Sequence, residues 1–156
     1  MRAIPVVWLA GVLAGLAGPA LADETMTVAG HEIVVTGDEI GAAKLTVDGE
    51  VLHENGVIFL DPEPWDLGGL AVVTGVAGSG GNACNAPPFV IALPEGAAPQ
   101  FFGPVASCAY LLPKIEAETL VFTSDPLPGT PGEVWVWTPG GGFAPGEAVG
   151  FAASAG

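Results

Sequence analysis

Asp61-Pro62-Glu63-Pro64-Trp65-Asp66 places three carboxylates and an indole within six residues, on a segment stiffened by two prolines. Hard cations take oxygen ligands, so Asp61, Glu63 and Asp66 are the candidate metal ligands. Their spacing departs from the calcium-loop pattern of alternating oxygen donors, a glycine and a distant glutamate; a Ca2+ site here would be irregular and weak, and no other cofactor is expected. The same residues suit a second chemistry. An aromatic face beside carboxylates can stack on a sugar or hold an ammonium or guanidinium group, which makes Trp65, Asp61, Glu63 and Asp66 the candidate ligand-binding set. The plainer alternative is a wet acidic turn whose indole caps the apolar end of a sheet. A glycan-cleaving enzyme would need two of these carboxyl groups across one cleft, about 5 to 10 Å apart.

The other reactive residue types are sparse. His31-Glu32 and His53-Glu54 repeat a His-Glu pair, and two imidazoles with a third ligand would hold zinc or copper if the strands brought them together. Adjacent residues on a strand point to opposite faces, so each pair offers a site only one member. Ala77-Gly78-Ser79-Gly80-Gly81 has the look of a serine-protease stretch, with His53 and Asp61 or Asp66 upstream in the order such enzymes use. Those enzymes build the triad between two barrels, and the elbow alternative needs a helix after the serine and a downstream histidine. Neither condition is met, and no catalytic residue is assigned. The glycines also fail as a phosphate cradle, because no lysine follows them.

Cys84 and Cys108 are the only cysteines. In an exported chain an even pair reads as a structural disulfide, here closing a loop of about 25 residues. The chain-entropy model values such a loop at about 3.5 kcal/mol. Export is expected from the first residues: one basic residue, Arg2, precedes an uncharged apolar run that ends Ala20-Leu21-Ala22 before Asp23-Glu24. This is the pattern of a cleaved secretory signal over residues 1–22, and it predicts a single periplasmic or secreted domain over residues 23–156 with no membrane insertion.

Cleavage would take Arg2 with it. Lys44 and Lys114 then stand alone against 17 Asp and Glu, a balance of 2 minus 17, or −15. Phosphate backbones and anionic membranes need several Lys or Arg residues to replace released counterions, so nucleic acid is excluded as a partner. The field instead favours a basic protein, a cationic ligand or a metal ion.

Short β-rich runs broken by Gly, Pro, Asn and Asp recur along the chain, and helical periodicity is almost absent. The fold class is all-β, an antiparallel sandwich or closed barrel of about nine short strands. Runs are expected at residues 32–36, 44–47, 50–54, 57–60, 70–76, 89–93, 110–115, 119–123, 134–138 and 148–152. Asp48-Gly49 and Asn55-Gly56 suit the left-handed positions of type I′ turns and predict a three-stranded meander over residues 44–60. Trp135 and Trp137 oppose Val134 and Val136, so that strand is central and its indoles belong to the core. Phe101, Phe102 and Tyr110 are expected to anchor the disulfide loop. Three segments have little capacity for regular structure, residues 61–69, 75–88 and 124–132, and a site is expected on one of them.

Gly80-Gly81-Asn82-Ala83-Cys84-Asn85-Ala86-Pro87-Pro88-Phe89-Val90-Ile91, then Gly103-Pro104, Ser107-Cys108 and Pro128-Gly129-Thr130-Pro131-Gly132-Glu133-Val134-Trp135-Val136-Trp137-Thr138-Pro139, resemble a group of small secreted, uncharacterised proteins of Gram-negative bacteria. The resemblance implies export and the Cys84 to Cys108 pairing, and it transfers no site residue. The residues therefore point to an exported, non-catalytic binding domain that works through acidic loops. The alternatives are a small carboxylate-dependent glycan-active enzyme and a structural envelope protein without a ligand.

Overall fold

The computed structural model describes residues 23–37, 41–80, 84 and 87–147. The expected signal segment, most of the Gly-Gly-Asn-Ala-Cys stretch and the expected strand at 148–152 lie outside the described residues. Every assigned element is a strand, and all pairings are antiparallel. The fold is all-β, and of the two architectures expected it is the sandwich: three sheets, none closed into a barrel.

The first sheet runs in chain order through β1 (Glu24–Val28), β2 (His31–Gly37), β3 (Ala43–Val47) and β4 (Glu50–Asn55). The second pairs β5 (Val57–Leu60) and β6 (Trp65–Leu67) with the same side of β7 (Leu70–Gly78), followed by β8 (Pro88–Leu93) and β9 (Gln100–Phe102). The third comprises β10 (Leu112–Glu116), β11 (Thr119–Thr123), β12 (Val134–Thr138) and β13 (Gly142–Pro145).

The second sheet is the middle layer. Phe89, Ile91 and Leu93 on one face of β8 join a core with Ile33, Leu45 and Val47 of the first sheet. Val90 and Ala92 on the other face join Leu120, Phe122 and Trp137 of the third. All six residues of β8 are buried in consequence, which is why its run is apolar without alternation.

Nine of the expected runs are strands. The chain adds β1, β6, β9 and β13, which the sequence pattern hides: β6 and β9 have three residues each, and β13 contains Gly142 and Pro145 at a sheet edge. Asp48 and Gly49 both have positive φ and close the β3–β4 hairpin as expected. The second half of the expected meander is corrected. β5 pairs with β7 rather than β4, so Asn55-Gly56 is where the chain crosses from the first sheet to the second. Gly56 is needed there for a close approach, since a Cβ would lie 2.2 Å from the Ser79 carbonyl oxygen.

β12 lies between two partners as expected, and Trp137 is fully buried while Trp135 is half-buried against the same core. Phe101 packs on the first core and Phe102 on the second. Tyr110 departs from expectation: it is exposed and anchors nothing, because it lies in the turn-rich stretch before β10 rather than on a sheet face.

Up-and-down connection gives the stack two unlike ends. One end carries the two-residue turns 29–30, 48–49, 68–69 and 117–118, and all eight of those residues have positive φ. The same end also carries the 94–99 connection, and the other carries the Cys84–Cys108 disulfide and residues 124–133.

Candidate functional site

Residues 61–64 interrupt an edge. β5 and β6 both lie along β7, and the Asp61-Pro62-Glu63-Pro64 stretch bulges out between them. Two prolines without N–H groups suit a break in a sheet edge, where further pairing is unwanted. Thr74 on β7 holds the bulge at both ends. Its fully buried hydroxyl donates to Asp61 Oδ2 at 2.5 Å and accepts from Trp65 Nε1 at 3.0 Å, while Asp61 N donates to the Thr74 carbonyl at 2.9 Å. Trp65 is half-buried against the second core, with its polar edge already committed to Thr74.

The four candidate residues therefore have different surroundings. Asp61 and Trp65 share the Thr74 network, and Glu63 is exposed. Asp66 is exposed too, and its Oδ1 accepts the Gly69 N–H at 2.7 Å across the turn between β6 and β7. Among the described residues no three His, Cys, Asp or Glu side chains are grouped to hold a metal ion.

The histidines stand apart. His53 lies opposite Leu45 on β3, which in turn lies opposite Val35, four residues along β2 from His31. His53 stacks on Phe101 with ring centroids 4.7 Å apart, and burial pushes its pKa below 6.5. His31 Nδ1 meets Asp48 Oδ2 at 2.6 Å, and Asp48 Oδ1 accepts the Glu32 N–H at 2.9 Å. These bonds, the His31 contact foremost, hold the Asp48 carboxyl below its ordinary 3.8. Ser79 packs its backbone against Gly56, with His53 on Phe101 and Asp61 on Thr74, so the serine-protease order assembles no triad.

What the structure does gather is carboxylates at the short-turn end. His31, Gly69 and Glu95 line a depression of about 320 Å³ there. Asp48 adjoins it through His31, and Asp66 through Gly69. The Glu118 carboxylate lies so close to Gly68 that a Cβ there would meet it at 2.6 Å. Asp48, Glu95 and Glu118 thus come from three connections and Asp66 from β6, all far apart in sequence. Only Asp66 was singled out from the sequence, and the signal for the others was their place in or beside turns. The lysines offer little compensation: Lys44 pairs with Glu54 at 3.0 Å and Lys114 with Glu116 at 2.6 Å. Among the described residues no other Lys or Arg is present.

Three stacked antiparallel sheets with one disulfide and an acidic turn end define the class of protein. The chain belongs to the Y4bG N-terminal domain family, whose model matches residues 29–150. Its similarity to the uncharacterized protein y4bG of Sinorhizobium fredii (strain NBRC 101917 / NGR234) is 36% identity over 125 residues, covering 80% of this chain and 45% of that protein. The chain thus spans less than half the length of this relative. No solved structure matches.

Proposed function

We propose that the chain is an exported, non-catalytic binding domain that engages a cationic partner, either a basic protein, a cationic ligand or a metal ion, through its acidic loops. The observation that carries this reading is the convergence of Asp48, Asp66, Glu95 and Glu118 at one end of a molecule whose two described lysines are each held by a carboxylate. Carboxylates at one end of the stack add to a negative field there, which draws a cation. The export component rests on the apolar segment ending Ala20-Leu21-Ala22 and on the disulfide, a bond that persists in oxidising compartments.

The test is capture of partners on the immobilised mature chain, at low and at high ionic strength, with and without chelator. The cationic-partner reading expects capture that falls steeply with salt. Retention unchanged between about 0.05 M and 0.5 M salt would refute it. Mass spectrometry of the protein recovered from the producing cells tests export, with an N-terminus at Asp23 as the expected result.

A further inference from the structure

The long-loop end carries a different kind of surface. Residues 124–133 connect β11 to β12, and their two ends are clamped: Ser124 N donates to the Glu133 carbonyl at 3.0 Å, and Glu133 N donates to Ser124 Oγ at 2.8 Å. The tip, Leu127-Pro128-Gly129-Thr130, is closed by two reciprocal backbone hydrogen bonds of 2.9 Å, with Gly129 at φ +77°. Proline second and a left-handed glycine third are what a type II turn requires, so the tip is stiff. It holds Leu127 63% exposed.

Across a depression of about 380 Å³ from that tip stands Tyr110, 69% exposed, two residues beyond the disulfide-bonded Cys108. Asp125 and Glu133 line the same depression. The Glu133 carboxylate is fixed in advance, because Oε2 accepts from Ser107 Oγ at 2.6 Å and from Trp135 Nε1 at 3.1 Å. Ser107 Oγ also accepts the Ala109 N–H at 3.0 Å, which ties the Tyr110 side of the depression to the Glu133 side.

A single exposed leucine is ordinary. Two large apolar side chains, presented on separately stiffened segments around an oriented carboxylate, have already met the ordering cost that binding imposes on flexible loops. We infer that this groove docks a protein segment that presents an arginine or lysine beside an apolar residue. The cationic head meets Glu133 Oε1 and Asp125, and its methylene stem and the neighbouring side chain pack between the Tyr110 ring and Leu127. Charge selects this occupant: the groove is lined by two carboxylates and no lysine or arginine, in a chain of net charge −14. The inference rests on the cationic-partner reading for the sign of the ligand, and it goes further in naming the surface and the apolar component.

The probe is a fluorescently labelled peptide of alternating arginine and leucine, titrated by anisotropy into the full mature chain beside a counterpart with citrulline for arginine. The arginine peptide is expected to bind at least about tenfold more tightly than the citrulline peptide. Tyr110→Ser and Leu127→Ser are each expected to weaken it at least about tenfold, as interface anchors do. Both side chains are exposed, so unchanged urea midpoints will show that these variants fold. The triple variant Asp48→Asn, Glu95→Gln, Glu118→Gln, which removes charge from the short-turn end, is expected to slow association, because remote charges act on the encounter. If the groove variants bind as the parent does and the triple variant does not bind, the groove inference is overturned and the cationic-partner reading stands. If the arginine peptide fails to bind, or binds no better than the citrulline peptide, the groove inference is overturned, and the cationic-partner reading is decided by the salt dependence of capture.

Discussion

The two ends of the sheet stack present side chains in opposite ways. At the short-turn end, two-residue hairpins hold Asp48 and Glu118 at or beside positive-φ positions, and the exposed charge follows from where the strands stop. At the long-loop end, a disulfide, a doubly bonded turn and the Ser107–Glu133 link hold Tyr110 and Leu127 in the open. Charges act through space and tolerate loose placement, whereas apolar contacts count only at van der Waals range. The difference teaches that a cross-link and a doubly bonded turn hold large apolar side chains in the open, whereas two-residue turns suffice to leave charge exposed.

The sharpest way to break this comparison is at the long-loop end. Replacing both Cys84 and Cys108 by serine is expected to cost about 2 to 5 kcal/mol in urea unfolding. A loss no greater than that of a surface substitution would show that the cross-link does not hold this end.

Next in size is the strap on the middle sheet. Thr74→Val keeps the shape but strips Asp61 and Trp65 Nε1 of their shared partner, and is expected to cost about 1 to 3 kcal/mol in the same assay. Tryptophan fluorescence should shift as the Trp65 edge is released. A neutral result would mean that residues 61–64 hold their course without Thr74.

Acid separates the ends further. Burial keeps the folded-state pKa of His53 below 6.5, so the unfolded chain takes up that proton first, and stability is expected to fall as pH drops below 6.5 toward the folded value. His53→Phe, which keeps a ring against Phe101, should flatten this step in urea midpoints measured from about pH 7 to pH 5. Asp48 acts lower. Its pKa is depressed below 3.8 chiefly by the His31 hydrogen bond, so its contribution is present above 3.8 and disappears as pH falls through the folded value. Asp48→Asn should leave the His53 step intact and reduce only the loss at lower pH.

The smallest effect on stability is expected from the double change Glu95→Gln, Glu118→Gln, which should leave the urea midpoint at neutral pH nearly unchanged. A drop comparable to that from losing the disulfide would show that the short-turn end is held by its carboxylates, and the contrast between the ends would fail.

Much of this architecture is legible along the chain. Nine strand runs, the Asp48-Gly49 turn, the interior place of β12 and the Cys84–Cys108 bond each reflect a pattern confined to a few residues or a count of two cysteines. Tyr110 as an anchor and Asn55-Gly56 as a hairpin were misread because each depends on a distant partner: the packing that Tyr110 lacks, and the β7 edge that captures β5. The positive φ of Ala29, Ala117 and Glu118 is equally hidden, since no glycine marks those positions and only the register of the flanking strands demands a two-residue turn.

The candidate site divides along the same line. Composition alone determined that the chain carries 17 acidic residues against three Lys and Arg, and hence the sign of the field it presents. Only the tertiary structure decided which carboxylates that field draws on. Asp61 turns to a buried hydroxyl 13 residues away, while Asp48, Glu95 and Glu118 lie at one end of the stack. The physical reason is that charge adds along a chain whatever its fold, whereas a hydrogen bond or an apolar contact exists only where stacked sheets bring distant residues within a few ångströms.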